Sequence, residues 1–423
     1  MKRSAVLARA AVGLLAVVVI SGTAVAASSG GFPSHSSQNE MKASNGKFDK
    51  PIVIGAALGK TGQQAPFDTP PWAGVNFAIQ DINKAGGVLG QKITTVEQDS
   101  TSTVPGARTA TLGVLQQGAM LTFQTCNYDL GVAGGQAANT AGVIAWTLCA
   151  ASPKWGVQGI GPTAYTGAVL TWAEGNVGAK FSAKFLHKKK AFTFCDTWID
   201  YSIQTCDGYK ESAKQYGLTI AGSADMNTVK SQNVAQQITQ LKGTKGVDII
   251  YVASVPPFSI GVVKQIRGAG ITLPIVSPTA SYGVWWAKSA PHLNDYYIDG
   301  PAQVYGNKPG QMSGGDPRPA VNALVKRYIK KFGKNPDHGN FLEGYAATQI
   351  LAQAMKAVKS TNGTEIANWI DGHGTFQTVL GPRTFTSTLH SSPNRPFIWV
   401  KYTNTWPSYV TTMTPGKVNL HLK

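Results

Sequence analysis

The feature that most constrains this chain is a repeated alternation of short β-rich runs with amphipathic helical stretches. The run Ile52-Val53-Ile54-Gly55-Ala56-Ala57 is followed by a helical pattern over 71–85, with Val75, Ala78, Ile79 and Ile82 on one face and Gly86-Gly87 at its end. Strand-like runs at 92–97, 121–125 and 143–148 then bracket helical stretches at 104–117 and 130–140. Parallel neighbours need a crossover, so this order specifies a mostly parallel sheet covered on both faces. A second series of the same kind begins near residue 172, with helices at 173–186, 206–216, 233–241 and 259–267 and strands at 191–194, 219–224, 247–252 and 275–277. The expected class is therefore α/β, two doubly wound lobes with a cleft between them. Helices at 319–332 and 340–359 and a strand at 397–402 follow both series, which predicts that the chain crosses between lobes more than once.

The N-terminus carries a different signal. Lys2, Arg3 and Arg9 precede an apolar run over 10–20 that ends in Ala24-Val25-Ala26-Ala27, the layout of a cleaved secretory signal peptide over residues 1–27. An uncleaved anchor is the alternative. No cysteine follows the run to carry a lipid. Residues 28–49 are rich in Ser, Gly, Asn and Lys and read as a flexible leader. An exported chain with four cysteines is expected to hold disulfides. Sequence permits three pairings; the local one joins Cys126, at the end of one strand-like run, to Cys149 at the end of the next, and Cys195 to Cys206, eleven residues on. There is neither a Cys-x-x-Cys nor a histidine cluster for a metal, and no cofactor is expected. The formal charge of +17 comes from scattered lysines and arginines, so it is read as bulk surface charge rather than a nucleic-acid site.

In open α/β sheets ligands sit beyond the carboxyl ends of the strands, where helix N-termini offer unpaired N–H groups. The loops at those positions are 58–67, 126–129, 149–152, 196–201, 253–257 and 278–282, rich in hydroxyls, amides and aromatics. Trp198 near a strand end is expected to face the cleft, because a buried indole needs a partner for its N–H. Ser254 lies in the fifth of these loops. Tyr128 and Tyr201 read equally as cleft walls or core aromatics, and Asp196 and Asp200 as ammonium binders or helix caps.

The stretch Gly74-Val75-Asn76-Phe77-Ala78-Ile79-Gln80-Asp81-Ile82-Asn83-Lys84-Ala85-Gly86-Gly87-Val88-Leu89-Gly90 resembles the helix-and-turn signature of type I periplasmic binding proteins, in particular the branched-chain amino-acid-binding (Leu/Ile/Val) family of ABC importers. Cys149-Ala150-Ala151-Ser152-Pro153, Asp200-Tyr201 and Gly344-Tyr345-Ala346-Ala347 extend the likeness. The resemblance implies three hinge crossings, near Leu170, Ile298 and Arg383, with 50–170 and 299–383 in the first lobe and 171–298 and 384–415 in the second. It also implies a ligand carboxylate held by the loops with Asn127, Tyr128, Cys149, Ala150 and Ala151, mainly through backbone groups. Tyr201 matches a tyrosine facing the cleft. Amino-acid binders of the family place an acidic residue where this chain has Thr279, and the usual Ser/Thr pair of the carboxylate loops is replaced. The expected ligand widens accordingly to an amino acid, amide or small organic acid, and the basic balance leans toward an anionic or neutral one.

No nucleophile elbow, phosphate loop or His-Glu-x-x-His is present, so the chain is read as a non-enzyme. The implied partners are a small solute and a membrane permease, with no nucleic acid, a monomeric protein and a periplasmic or extracellular location. The competing reading is a sensor or envelope ectodomain of the same fold.

Overall fold

The computed structural model describes residues 39–286, 289–290 and 293–422. The signal-peptide expectation, and the leader as far as residue 38, lie outside the described residues.

The first sheet holds five strands, all parallel, in the order β2-β1-β3-β4-β5: β1 (Ile52–Leu58), β2 (Ile93–Asp99), β3 (Leu121–Gln124), β4 (Ile144–Thr147) and β5 (Ala164–Thr166). The helices α1 (Ala65–Lys84), α2 (Val104–Gln116) and α3 (Tyr128–Thr140) connect them. β1, β3 and β4 are almost continuously buried, as strands covered on both faces must be, whereas the edge strand β2 is more polar and only partly buried. The second sheet is mixed. Its parallel part comes from β6 (Lys190–Asp196), β7 (Thr219–Met226), β8 (Ile249–Ala253), β9 (Ile275–Ser277) and β10 (Tyr296–Gly300), to which β13 (Phe397–Thr403) and β14 (Trp406–Met413) add antiparallel strands at one edge. Helices α4 (Thr171–Lys180), α5 (Asp200–Ala213), α6 (Ala235–Gly243) and α7 (Phe258–Gly268) serve this sheet, and α8 (Pro319–Phe332), α9 (Phe341–Val358), α10 (Gly363–Gly372) and the hairpin β11 (Thr375–Thr378) and β12 (Gly381–Thr384) follow.

The residues that carry the family likeness meet across one helix crossing. A Cβ on Gly74 of α1 would stand 1.8 Å from the Phe341 carbonyl oxygen, and one on Gly344 of α9 would stand 1.9 Å from that of Pro71. Only glycine at both positions lets the backbones approach this closely, and that contact brings the late helix α9 back onto the first sheet.

Two expectations change. Helix α1 starts at Ala65 rather than 71, and takes Pro70 and Pro71 into its interior. Its extra N-terminal turn is held by Asp68, whose carboxylate accepts the N–H of Gly59 at 2.7 Å and of Cys126 at 2.8 Å. Residues 39–49 are not a free leader. Met41 and Phe48 are buried, Met41 N–H donates to Thr361 Oγ1 and Ala43 N–H to the Lys359 carbonyl, so two apolar anchors dock this stretch on the first lobe. The strands β5, β10 and β14 and the hairpin also go beyond the sequence reading; β5 and β10 are only three and five residues long. Among the described residues no helix is long and apolar enough to cross a membrane.

Candidate functional site

The loops that follow β1, β3 and β4 converge on one side of a cavity with about 690 Å³ of empty space, its open mouth included. From the first side come Gln64 and Phe67 of the α1 start, Cys126 to Asp129, and Cys149 to Ser152. A disulfide joins Cys126 to Cys149, with Cα atoms 4.5 Å apart, and so ties the ends of the adjacent strands β3 and β4 together. Asn127 caps α3: its side-chain oxygen accepts the Leu130 N–H at 3.1 Å. The other N–H groups of that first turn have no partner within the helix, and with the helix dipole they favour negative charge beside Tyr128. Ala150 N–H is already bound to Thr147 Oγ1 at 3.1 Å.

The opposite side is built from side chains. Glu174 of α4, Ile199, Tyr201 of α5, Val255, Thr279 and Ala280 line it. Tyr201 donates its hydroxyl to Glu174 Oε2 at 2.6 Å and accepts the Ala280 N–H at 3.0 Å. Thr279 donates its hydroxyl to Asp299 Oδ1 at 2.7 Å. Burial, then the negative charge of Asp299, pushes Glu174 well above the usual carboxylate range; burial likewise pushes Asp299 up to about 8. Burial and the adjacent Glu174 keep the Tyr201 hydroxyl protonated. His338 closes the floor: its Nδ1 accepts the Asn340 N–H, which leaves the Nε2–H to donate to the Thr279 carbonyl at 3.0 Å. Burial pushes His338 down to about 4, so the ring is neutral.

Three contacts join the two sides at the mouth. Asp200 accepts from Ser152 Oγ at 2.5 Å and pairs with Lys154 Nζ at 2.6 Å, and its N–H donates to Asp129 Oδ2 at 3.2 Å. Burial raises Asp129 above the ordinary range.

Of the residues singled out in the sequence, Asn127, Tyr128, Cys149, Ala150, Ala151, Tyr201 and Thr279 come together around this cavity. Trp198 and Ser254 do not. Trp198 is turned edge-on to Phe258, ring centres 6.0 Å apart, with its indole N–H buried and unpaired, so packing rather than a polar partner settled its position. Ser254 donates its hydroxyl to Asp196 Oδ2 at 2.6 Å, and Asp196 also accepts from the Thr228 N–H, which makes both parts of a buried brace between strands. Asp200 meets Lys154 and Ser152 rather than the cavity. The second disulfide, Cys195–Cys206, lies in the second lobe away from the cavity. Sequence reasoning missed Glu174, His338 and Asn340. The last two stand immediately before α9, a helix N-terminus that the loop survey could have included; Glu174 sits inside α4 with no local mark. Against the lean toward an anionic or neutral ligand stands the lining itself, which among the described residues holds Glu174 and Asp129 and no Lys or Arg. Among the described residues no group of His, Cys, Asp and Glu could hold a metal ion.

The family model described as periplasmic binding protein matches residues 51–405, and the chain belongs to that family. An amino acid binding protein of Pseudomonas aeruginosa is 24% identical over 341 residues, which cover 78% of this chain and 85% of the relative. Among solved structures, the branched-chain amino acid transporter substrate-binding protein of Streptococcus pneumoniae in complex with isoleucine superposes with a TM-score of 0.74 at 22% identity, covering 86% of this chain and all of that one. A solute-binding protein of an ABC transporter from R. palustris in complex with benzoate gives 0.69 at 16% identity, covering 87% and 98%. These likenesses fix the type I periplasmic-binding-protein fold. Members of the family are extracytoplasmic solute-binding proteins and not enzymes.

Proposed function

We propose that this protein is the extracytoplasmic substrate-binding component of an ABC-type importer, and that its cleft takes a small solute carrying an anionic and a cationic end, an amino acid or a close analogue. The observation that carries the reading is Glu174, a buried carboxyl oriented by the Tyr201 hydroxyl in a cavity whose lining, among the described residues, has no Lys or Arg. It stands in for the acidic residue that the family places where this chain has Thr279. The anionic end meets the first turn of α3 and the loop with Ala150 and Ala151; the cationic end meets Glu174; Asn127, Tyr128, Cys149, Tyr201 and Thr279 complete the walls. The residues from 50 to 170 with 299–383, and those from 171 to 298 with 384–415, act as the two bodies of a hinge. A ligand that touches both sides stabilises the closed form by its differential affinity, and a membrane permease reads that form.

The deciding experiment is a thermal-shift screen of the mature protein against amino acids, amides, benzoate and short carboxylates. A ligand bound only by the folded state raises Tm, by about 2.7 kcal/mol of stabilisation at a hundredfold excess over Kd. Amino acids are expected to shift Tm and their deaminated analogues to fail. A shift with benzoate or short carboxylates alone overturns the assignment of Glu174.

A further inference from the structure

Resting on that reading of the cleft, we propose that Glu174 and Asp299 hold a single proton between them before ligand arrives, and that a ligand's cationic group replaces it, so that capture releases one proton to solvent. The two carboxyls are almost wholly buried, 2% and 1% exposed, and stand on α4 and β10, 125 residues apart in sequence. Both are tied to the same turn: Thr279 donates its hydroxyl to Asp299 Oδ1 at 2.7 Å, and Tyr201, which donates to Glu174 Oε2 at 2.6 Å, accepts the N–H of the adjacent Ala280 at 3.0 Å. Asp299 Oδ2 is buried with no hydrogen-bond partner. An ionised carboxylate oxygen in that position would lack any donor, whereas a carboxyl O–H brings its own proton.

The surroundings fit one retained proton. Facing the pair are Tyr201 from α5, Tyr251 from β8 and Arg395 from the segment before β13. Both tyrosines are held neutral by burial and by these same carboxyls. Arg395 stands 2.8 Å from Glu343 Oε1 instead, and Arg383 pairs with the other oxygen of Glu343 at 3.4 Å. Unbalanced buried charge is costly, and two carboxyls in one site do not both ionise readily. The upward pressure on both, to about 8 for Asp299, places that proton on the pair at neutral pH. Only Glu174 of the two lines the cavity, so an incoming cation meets the pair there and supplies the charge that the proton supplied.

Two measurements test this, the first without ligand. The unfolded carboxyls are ionised above about pH 6 and the folded pair is not, so the folded state binds one more proton and stability falls as pH rises from about 6.5 to 8. Urea titrations of the full mature chain are expected to show this slope in the wild type and a slope smaller by one proton in both Glu174→Gln and Asp299→Asn. An unchanged slope in both variants overturns the shared proton. The second is calorimetry with L-isoleucine, or with whichever amine the solute screen returns, in buffers of low and high ionisation enthalpy. One proton is expected to be released per ligand in the wild type at about pH 7, and affinity should tighten as pH rises, by up to about tenfold per unit below the titration of the pair. Asp299→Asn should bind with no release, because Glu174 then ionises alone. Glu174→Gln should lose affinity for the amine by about thirtyfold or more, about 2 kcal/mol for a charged hydrogen bond. An amine bound by the wild type without proton release overturns the exchange. Failure of every solute in the screen instead counts against the importer reading, which the ligand-free slope does not depend on.

Discussion

The two walls of the cleft are made by different means. The first is largely backbone and short side chains from loops that directly follow β1, β3 and β4, stitched by one disulfide. The second is a set of side chains, Glu174, Tyr201 and Thr279 with Asp299 behind, which reach one another from α4, α5, the loop after β9 and β10. A wall of the first kind follows from topology, since any sheet of this order places those loops together. One of the second kind depends on particular pairings of buried polar groups, each of which is expensive when left single. The first wall should therefore tolerate change of side chain and suffer from change of backbone, and the second should do the reverse.

The largest effect is expected at a buried charge cluster, Glu343 of α9 with Arg383 and Arg395. Glu343 is 1% exposed and faces both Arg383 and Arg395, each buried to a similar degree. Burial and the second guanidinium push Arg383 well below the ordinary arginine range, a sign that the pair of cations stands only because a carboxylate sits between them. Glu343→Gln removes that charge and preserves the shape. Urea unfolding should show a loss of about 3–5 kcal/mol, the cost of stranding buried charge. A loss under about 1 kcal/mol would mean that the arginines are compensated elsewhere, and the contrast between the two walls would fail at its base.

The same contrast explains what was legible. The alternation of strands and helices, the two lobes, the cavity-lining loops and the local cysteine pairs follow from local signals: β-rich runs, helix periodicity, and cysteines at strand ends. Seven of the nine residues singled out for the ligand site reach the cavity because loops at strand ends have nowhere else to go. Trp198 and Ser254 belong to the same class of loop yet turn away, one to Phe258 and one to Asp196, since a side chain's direction within a loop is fixed by tertiary partners. Glu174, Asp299 and Arg395 come from separate segments and acquire meaning only on meeting. No spacing or composition marks such a set in advance. The short strands β5 and β10 escaped for a related reason: three to five residues carry too little periodicity to stand out from loop.

A smaller effect separates the two disulfides. Cys126–Cys149 closes a loop of 23 residues at the first wall, and Cys195–Cys206 one of 11 in the second lobe outside the cavity. Replacing the first pair by serines should lower stability by about 3 kcal/mol, somewhat more than replacing the second, by loop-closure entropy. The sharper difference lies in binding. The first replacement frees the ends of β3 and β4, whose loops present backbone to the ligand, and should weaken binding of the solute found by thermal shift. The second should leave it within about twofold, since Cys195 and Cys206 brace only β6 against α5. Equal losses of affinity from the two replacements would show that both walls depend on the second lobe's interior.

The smallest effect is expected at the mouth, where the walls touch through charge. Lys154 pairs with Asp200 at 2.6 Å, but its side chain is 51% exposed, and Asp200 has a second partner in Ser152. The hydrogen bond to Asp200 raises the lysine above its ordinary value, yet a pair so open to water contributes at most about 1 kcal/mol. Lys154→Ala should weaken ligand binding by no more than about fivefold at low salt, and by less near 1 M salt, where the screening length falls to about 3 Å. Titration of wild type and variant at the two ionic strengths measures this. A loss beyond about tenfold that persists in salt would place Lys154 against the ligand itself, and the first wall would then hold a cation that its lining residues do not contain.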